Sequence, residues 1–106
     1  MASFVNGSAS AADTSTTSVI SAQSAGVKTY LTDVIISNNS SNNTEVAIKD
    51  GSTTKATYPV PANGGVVHSF SSPIVGTAAT AWQFASTVSA GSGNAVTVTL
   101  IGFTGS

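Results

Sequence analysis

Along most of the chain, apolar and polar residues exchange places at every second position, in short runs broken by turn residues, and this period limits the fold more than any other feature. Over residues 81–90, Trp82, Phe84 and Val88 alternate with Gln83, Thr87 and Ser89. Over residues 95–103, Val96, Val98 and Leu100 alternate with Thr97, Thr99 and Ile101. A period of two sends one set of side chains to each face of an extended strand, whereas a helix needs apolar positions three and four apart. The residue types agree. Val, Ile and Thr are abundant, Leu occurs only at 31 and 100, and Arg is absent. Such a chain favours strands and has little with which to build a helix. All-β is the expected class.

Turn signals divide the chain into about seven to eight strands. The runs cover residues 18–22, 27–38, 45–49, 54–60, 66–71, 81–90 and 95–103, with an irregular crossing over 73–79. Asp50-Gly51, Pro61-Ala62-Asn63-Gly64-Gly65 and Ala90-Gly91-Ser92-Gly93-Asn94 separate neighbouring runs, and Ser72-Pro73 ends the fifth. Short strands at this spacing give a single antiparallel β-sandwich, jelly-roll-like or immunoglobulin-like. A length of 106 residues allows one such domain, burying about 65% of its extended surface. Residues 27–106 are expected to form it. Residues 1–26 are rich in Ser, Ala and Thr and read as an extended N-terminal arm. Its apolar islands are Phe4-Val5 and Val19-Ile20, and 18–22 is a possible first strand.

Two runs depart from a half-buried strand. Residues 27–38 place Leu31 and Ile35 on one face and Tyr30, Val34 and Ile36 on the other, so both faces are apolar. The last run also turns Ile101 and Phe103 toward the side where solvent is expected. Apolar residues on an outer face call for a partner that covers it. Charge points the same way. Only seven residues are charged, three Lys, three Asp and one Glu, against about a quarter of an average chain. Exposed sheet edges are usually protected by Lys, Pro or inward charges, and few are present here. Partner subunits are therefore expected on edges and faces. The candidate interface residues are Phe4, Val5, Val19, Ile20, Tyr30, Val34, Ile36, Tyr58, Ile101 and Phe103.

Other chemistries lack residues. A net charge of −1 offers no basic patch for nucleic acid, and no apolar run reaches the ~18 residues of a membrane span. With no Cys there is neither a disulfide framework nor a thiolate metal site. Nucleophilic catalysis needs a base beside the nucleophile, and the single His68 lies in a strand pattern with no nucleophile elbow nearby. It reads as a partly buried or interface histidine. Asp33, Glu45 and Asp50 show no glycosidase-type pairing, and Asp50-Gly51-Ser52 is a turn with one carboxylate rather than a calcium loop. Trp82 reads as core, and Tyr58 beside Pro59 as the aromatic residue best placed for the surface. No catalytic residue, cofactor or metal is expected.

From residue 27 onward the order of features resembles a family of short virion proteins of tailed bacteriophages, small β-sandwich domains that decorate or cement capsids. The likeness rests on Thr32-Asp33-Val34-Ile35-Ile36-Ser37-Asn38, then Tyr58-Pro59-Val60, Pro61-Ala62-Asn63-Gly64-Gly65 and Pro73-Ile74-Val75-Gly76-Thr77-Ala78. Ser89-Ala90-Gly91 and the closing strand from Val96 to Ile101-Gly102-Phe103 complete it. It covers about three quarters of the chain and leaves the arm outside. The resemblance implies a structural protein of the outer capsid surface that is not an enzyme. It implies a homotrimer with the major capsid protein as its partner. The alternative is a tail or fibre domain that recognises host glycans through aromatics such as Tyr58.

Overall fold

The described residues form eight strands: β1 (Ser3–Ala11), β2 (Thr17–Ile20), β3 (Lys28–Asn38), β4 (Thr44–Asp50), β5 (Thr53–Val60), β6 (Gly65–Val75), β7 (Trp82–Ser86) and β8 (Val96–Gly105). A computed structural model describes residues 3–91 and 93–106, among which there is no helix. Met1, Ala2 and Ser92 lie outside the described residues, and with them the first positions of the expected arm and the centre of the Gly-rich hairpin loop.

The strands form two four-stranded antiparallel sheets, sheet A in the order β1-β8-β3-β6 and sheet B in the order β2-β7-β4-β5. First pairs with eighth, second with seventh, third with sixth and fourth with fifth. The chain is thus one long hairpin, folded at the β4–β5 turn and rolled up so that β8 meets β3 and β7 meets β4. That is the jelly-roll arrangement rather than the immunoglobulin-like one. Its tip is a two-residue turn, Gly51-Ser52, closed by Asp50 opposite Thr53. The Asp50 carboxylate faces inward and accepts hydrogen bonds from the Thr77 amide and hydroxyl, which ties the 76–81 connection to the tip.

The alternating apolar residues meet between the sheets. Leu31, Val34, Ile36, Val96, Val98 and Leu100 from sheet A pack against Ile20, Val46, Ile48, Val60, Trp82 and Phe84 from sheet B. Trp82 is fully buried, and its indole N–H donates to the Thr29 carbonyl at 3.1 Å, a polar link across the sandwich. Buried Asn38 holds the polar loop after β3: its amide donates to the Asn42 and Pro61 carbonyls, and its oxygen accepts from Ser40.

The structure differs from the sequence expectations at four places. Residues 3–11, expected within the arm, form an edge strand of sheet A, whereas residues 17–20, overlapping the possible first strand at 18–22, form an edge strand of sheet B. β1 pairs with β8 over all nine residues and β2 with β7, so both sheets draw on residues before position 27. Second, β3 contains a bulge at Thr32. Leu31 and Asp33 sit opposite the consecutive residues Gly102 and Ile101, so Thr32 is the extra residue and reverses the alternation. Leu31, Val34 and Ile36 therefore share the inner face, and only Tyr30 and Ile35 remain as apolar residues on the outer one. Third, β6 continues through Pro73 to Val75; an edge strand tolerates the missing N–H, and pairing with β3 is interrupted over residues 70–73. Fourth, β7 ends at Ser86, and Val88 lies exposed in the following loop, its amide bonded to the Thr44 hydroxyl.

Candidate interaction surface

The bulge in β3 reduces the apolar outer surface of sheet A and also concentrates it. On the C-terminal side of β8, one cross-strand row runs over all four strands: Phe4 on β1, Phe103 on β8, Tyr30 on β3 and Val75 on β6. Residues directly opposite across strands stand close enough to pack. The Tyr30 and Phe103 rings do so, parallel to within 4° with centroids 5.0 Å apart. The Tyr30 hydroxyl donates to the Ser106 carbonyl, which fixes the ring and the chain end together. Phe4, at the end of the row, is 92% exposed. Beside it lies an open depression of about 400 Å³ lined by Ser3, Phe4, Thr32 and Phe103. The bulge residue Thr32 keeps its hydroxyl occupied by donating to the Ile101 carbonyl, so the depression is mainly apolar.

A second, looser apolar group lies two rows along, where Ile35 stands opposite Val67, itself 77% exposed. The rest of the face is hydroxyl-rich. Ser10 and Thr97 are hydrogen-bonded at 2.7 Å, and the Thr99 hydroxyl donates to Ser8. These hydroxyls satisfy one another across the β1–β8 pair. The face carries Lys28 and Asp33, each one row from Tyr30 on opposite sides.

Gly102 makes this geometry possible. It faces inward opposite Leu31, and a methyl group there would run into the Tyr30 carbonyl, one residue before the bulged pair. Gly102, a glycine inside a strand otherwise built of β-branched and large apolar residues up to Phe103, was the sequence signal of the bulge.

Of the ten interface candidates, Phe4, Tyr30, Ile101 and Phe103 come together on this face. Val34, Ile36 and Ile20 do not: they are buried in the core, because the bulge turns the first two inward and Ile20 stands beside Trp82 on the inner face of sheet B. Val5 and Val19 are half-buried and pack against the core from the two edge strands. Val75, Val67 and Ile35 on the outer face went unrecognised. A period-two reading without the bulge assigns Ile35 to the wrong side, and Val75 lay in a stretch read as a crossing.

Tyr58 belongs to a different place. Its hydroxyl is 2.8 Å from His68 Nδ1, joining edge strand β5 to edge strand β6, and His68 in turn packs on Phe70 with ring centroids 4.5 Å apart. Burial raises the Tyr58 pKa above its ordinary value, because the half-buried site disfavours the charged phenolate. The cluster closes one side of the sandwich. Among the described residues, no three His, Cys, Asp or Glu side chains gather as a metal site, and no helix is long and apolar enough to cross a membrane. No protein-family model matches the chain, and a search of curated proteins finds no relative.

Proposed function

We propose that the chain is a structural virion protein, a capsid decoration or cement protein that sits on the outer surface of a phage head and stabilises it by contact. The observation that carries this reading is the row Phe4, Phe103, Tyr30 and Val75 on the outer face of sheet A. A sheet with one face in the core ordinarily shows polar residues on the other. Here the exposed side instead offers aromatic rings and an apolar depression. The order of sequence features that resembles phage decoration proteins supplies the partner class, a shell protein. Contacts of this size are modest singly and act through the number of copies on a particle. In this role the fold supplies a surface and no reaction.

Tyr58 was the residue on which a glycan-binding alternative leaned. Its hydroxyl is hydrogen-bonded to His68 and its ring stands edge-on to the imidazole at the β5–β6 edge, away from the aromatic row.

The test is direct. Phage heads assembled without the protein are mixed with the purified chain, sedimented, and then heated. Saturable co-sedimentation and a raised temperature of genome release support the proposal. Heads that neither bind the chain nor gain stability would sink it.

A further inference from the structure

We infer that β1 is an adhesive edge, and that two copies of this chain pair through it, antiparallel, to join their A sheets into one eight-stranded sheet. The argument begins with the four edge strands, β1 and β6 of sheet A and β2 and β5 of sheet B. Every edge strand turns unpaired N–H and C=O groups outward, and folded proteins block them by short length, bulges, Pro or Lys. Three edges here carry such devices. β2 has only four residues and a register shift. β5 carries Pro59, and Lys55 is the extra residue of a bulge opposite Ile48 and Lys49. β6 carries Pro73, and its pairing breaks over residues 70–73. β1 has none of them. Its nine residues, Ser-Phe-Val-Asn-Gly-Ser-Ala-Ser-Ala, include no charge and no Pro, and they hold an unbroken register with β8.

The residues of β1 also indicate what occupies that edge. The strand is large at its beginning, Phe4 and Val5, and small at its end, Ala9, Ser10 and Ala11. An antiparallel copy centred on Gly7 sets Phe4 opposite Ser10, Val5 opposite Ala9 and Asn6 opposite Ser8, large against small at both ends. Directly opposite residues point to the same face, and aromatic side chains also reach diagonal neighbours. The Phe4 ring, 92% exposed in one copy, would thus lie over Ser10 and Ser8 of the second. A two-fold axis through Gly7 makes the contact self-complementary and closed at two copies. No like charges meet, because β1 has none. The contact is one strand wide, which places it among small, reversible interfaces, with a dissociation constant on the order of 10 µM. It does not depend on the capsid reading: a chain that decorates heads yet stays monomeric defeats the pairing and leaves that reading intact.

The experiment uses the full chain and two double variants at exposed positions that face away from the core. Asn6→Lys with Ser8→Lys sets like charges opposite each other twice across the axis. Asn6→Lys with Ser8→Glu sets opposite charges there. Sedimentation equilibrium from about 1 to 300 µM, with circular dichroism to confirm the fold, reads the outcome. The parent and the Lys/Glu variant are expected to form dimers, and the Lys/Lys variant to associate at least tenfold more weakly. The inference is overturned by a parent that stays monomeric throughout that range. It is equally overturned by trimers, as the phage resemblance implies, or by a Lys/Lys variant that dimerises as well as the parent.

Discussion

The outer faces of the two sheets are built on the same plan and filled differently. That of sheet B, formed by the middle of β4 and β7 with β5 beside them, shows Glu45, Ala47, Lys49, Gln83, Ala85, Thr54 and Thr57, with Lys55 at its bulged edge. Three of the chain's seven charges are there. That of sheet A shows the row Phe4, Phe103, Tyr30 and Val75, then Ile101 and the pair Ile35 and Val67, with hydroxyls bonded to one another between them. Face A also carries Lys28 and Asp33, so the two faces differ in their apolar residues more than in their number of charges. Face B is a surface made for water. Face A has aromatic residues at positions where the same fold accepts Lys or Thr, so its apolar character reflects residue choice and not topology.

If face A is a surface rather than hidden core, adjacent residues of β8 should differ sharply in their contribution to stability. This is the largest effect expected. Leu100 is fully buried and Ile101 points outward. Leu100→Ala should destabilise by about 3 kcal/mol and Ile101→Ala by less than about 1 kcal/mol, read from denaturant unfolding. Equal losses would mean that face A belongs to the core, and the comparison would collapse.

Next in size is the effect on particle binding. Phe103→Lys places a charge in the centre of the aromatic row, where the parent stacks on Tyr30. It should weaken association with heads lacking the protein by at least about thirtyfold, roughly 2 kcal/mol, while the thermal transition falls only slightly. A smaller expectation belongs to face B. Thr57→Lys should leave head binding unchanged and stability within about 0.5 kcal/mol. A Thr57 variant that lost binding while the Phe103 variant kept it would reverse the roles of the two faces.

How much of this the sequence discloses depends on what local alternation can report. The all-β class, the inward sets of β4, β7 and β8, and the core place of Trp82 follow from period two and residue type. The sheet partners do not, since which strand lies beside which is decided by long-range packing. β1 was hidden for a separate reason. Val5, Gly7, Ala9 and Ala11 face inward and Phe4, Asn6, Ser8 and Ser10 outward, so the alternation is present. Its inward residues are small because β2 passes close beneath: a methyl group on Gly7 would run into the Val19 carbonyl. Small inward residues look like linker when hydrophobicity is the guide. The candidate surface was half legible. Tyr30, Ile101 and Phe103 were suspected from their parity, but the bulge at Thr32 moved Val34 and Ile36 to the core, and only Gly102 across the strand pair hinted at it.

The smallest expected effect tests the seam where the two faces meet, the Tyr58–His68 bond between β5 and β6. Burial raises the Tyr58 pKa above its ordinary value near 10. The native protein thus keeps a proton that the unfolded chain gives up, and unfolding releases it once the pH exceeds about 10. The stability tied to this phenol is complete below that pH and declines as the pH rises through the raised folded value. Tyr58→Phe removes the titration. At pH 7 the variant should lose less than about 1 kcal/mol, the hydrogen bond to His68. Between pH 9 and about 11 its melting temperature should fall less steeply than the parent's. Because every other side chain is common to both proteins, the difference between the two curves isolates Tyr58. Parallel curves would show that the phenol is as open to solvent in the folded chain as in the unfolded one, and that the two sheets meet at this edge without it.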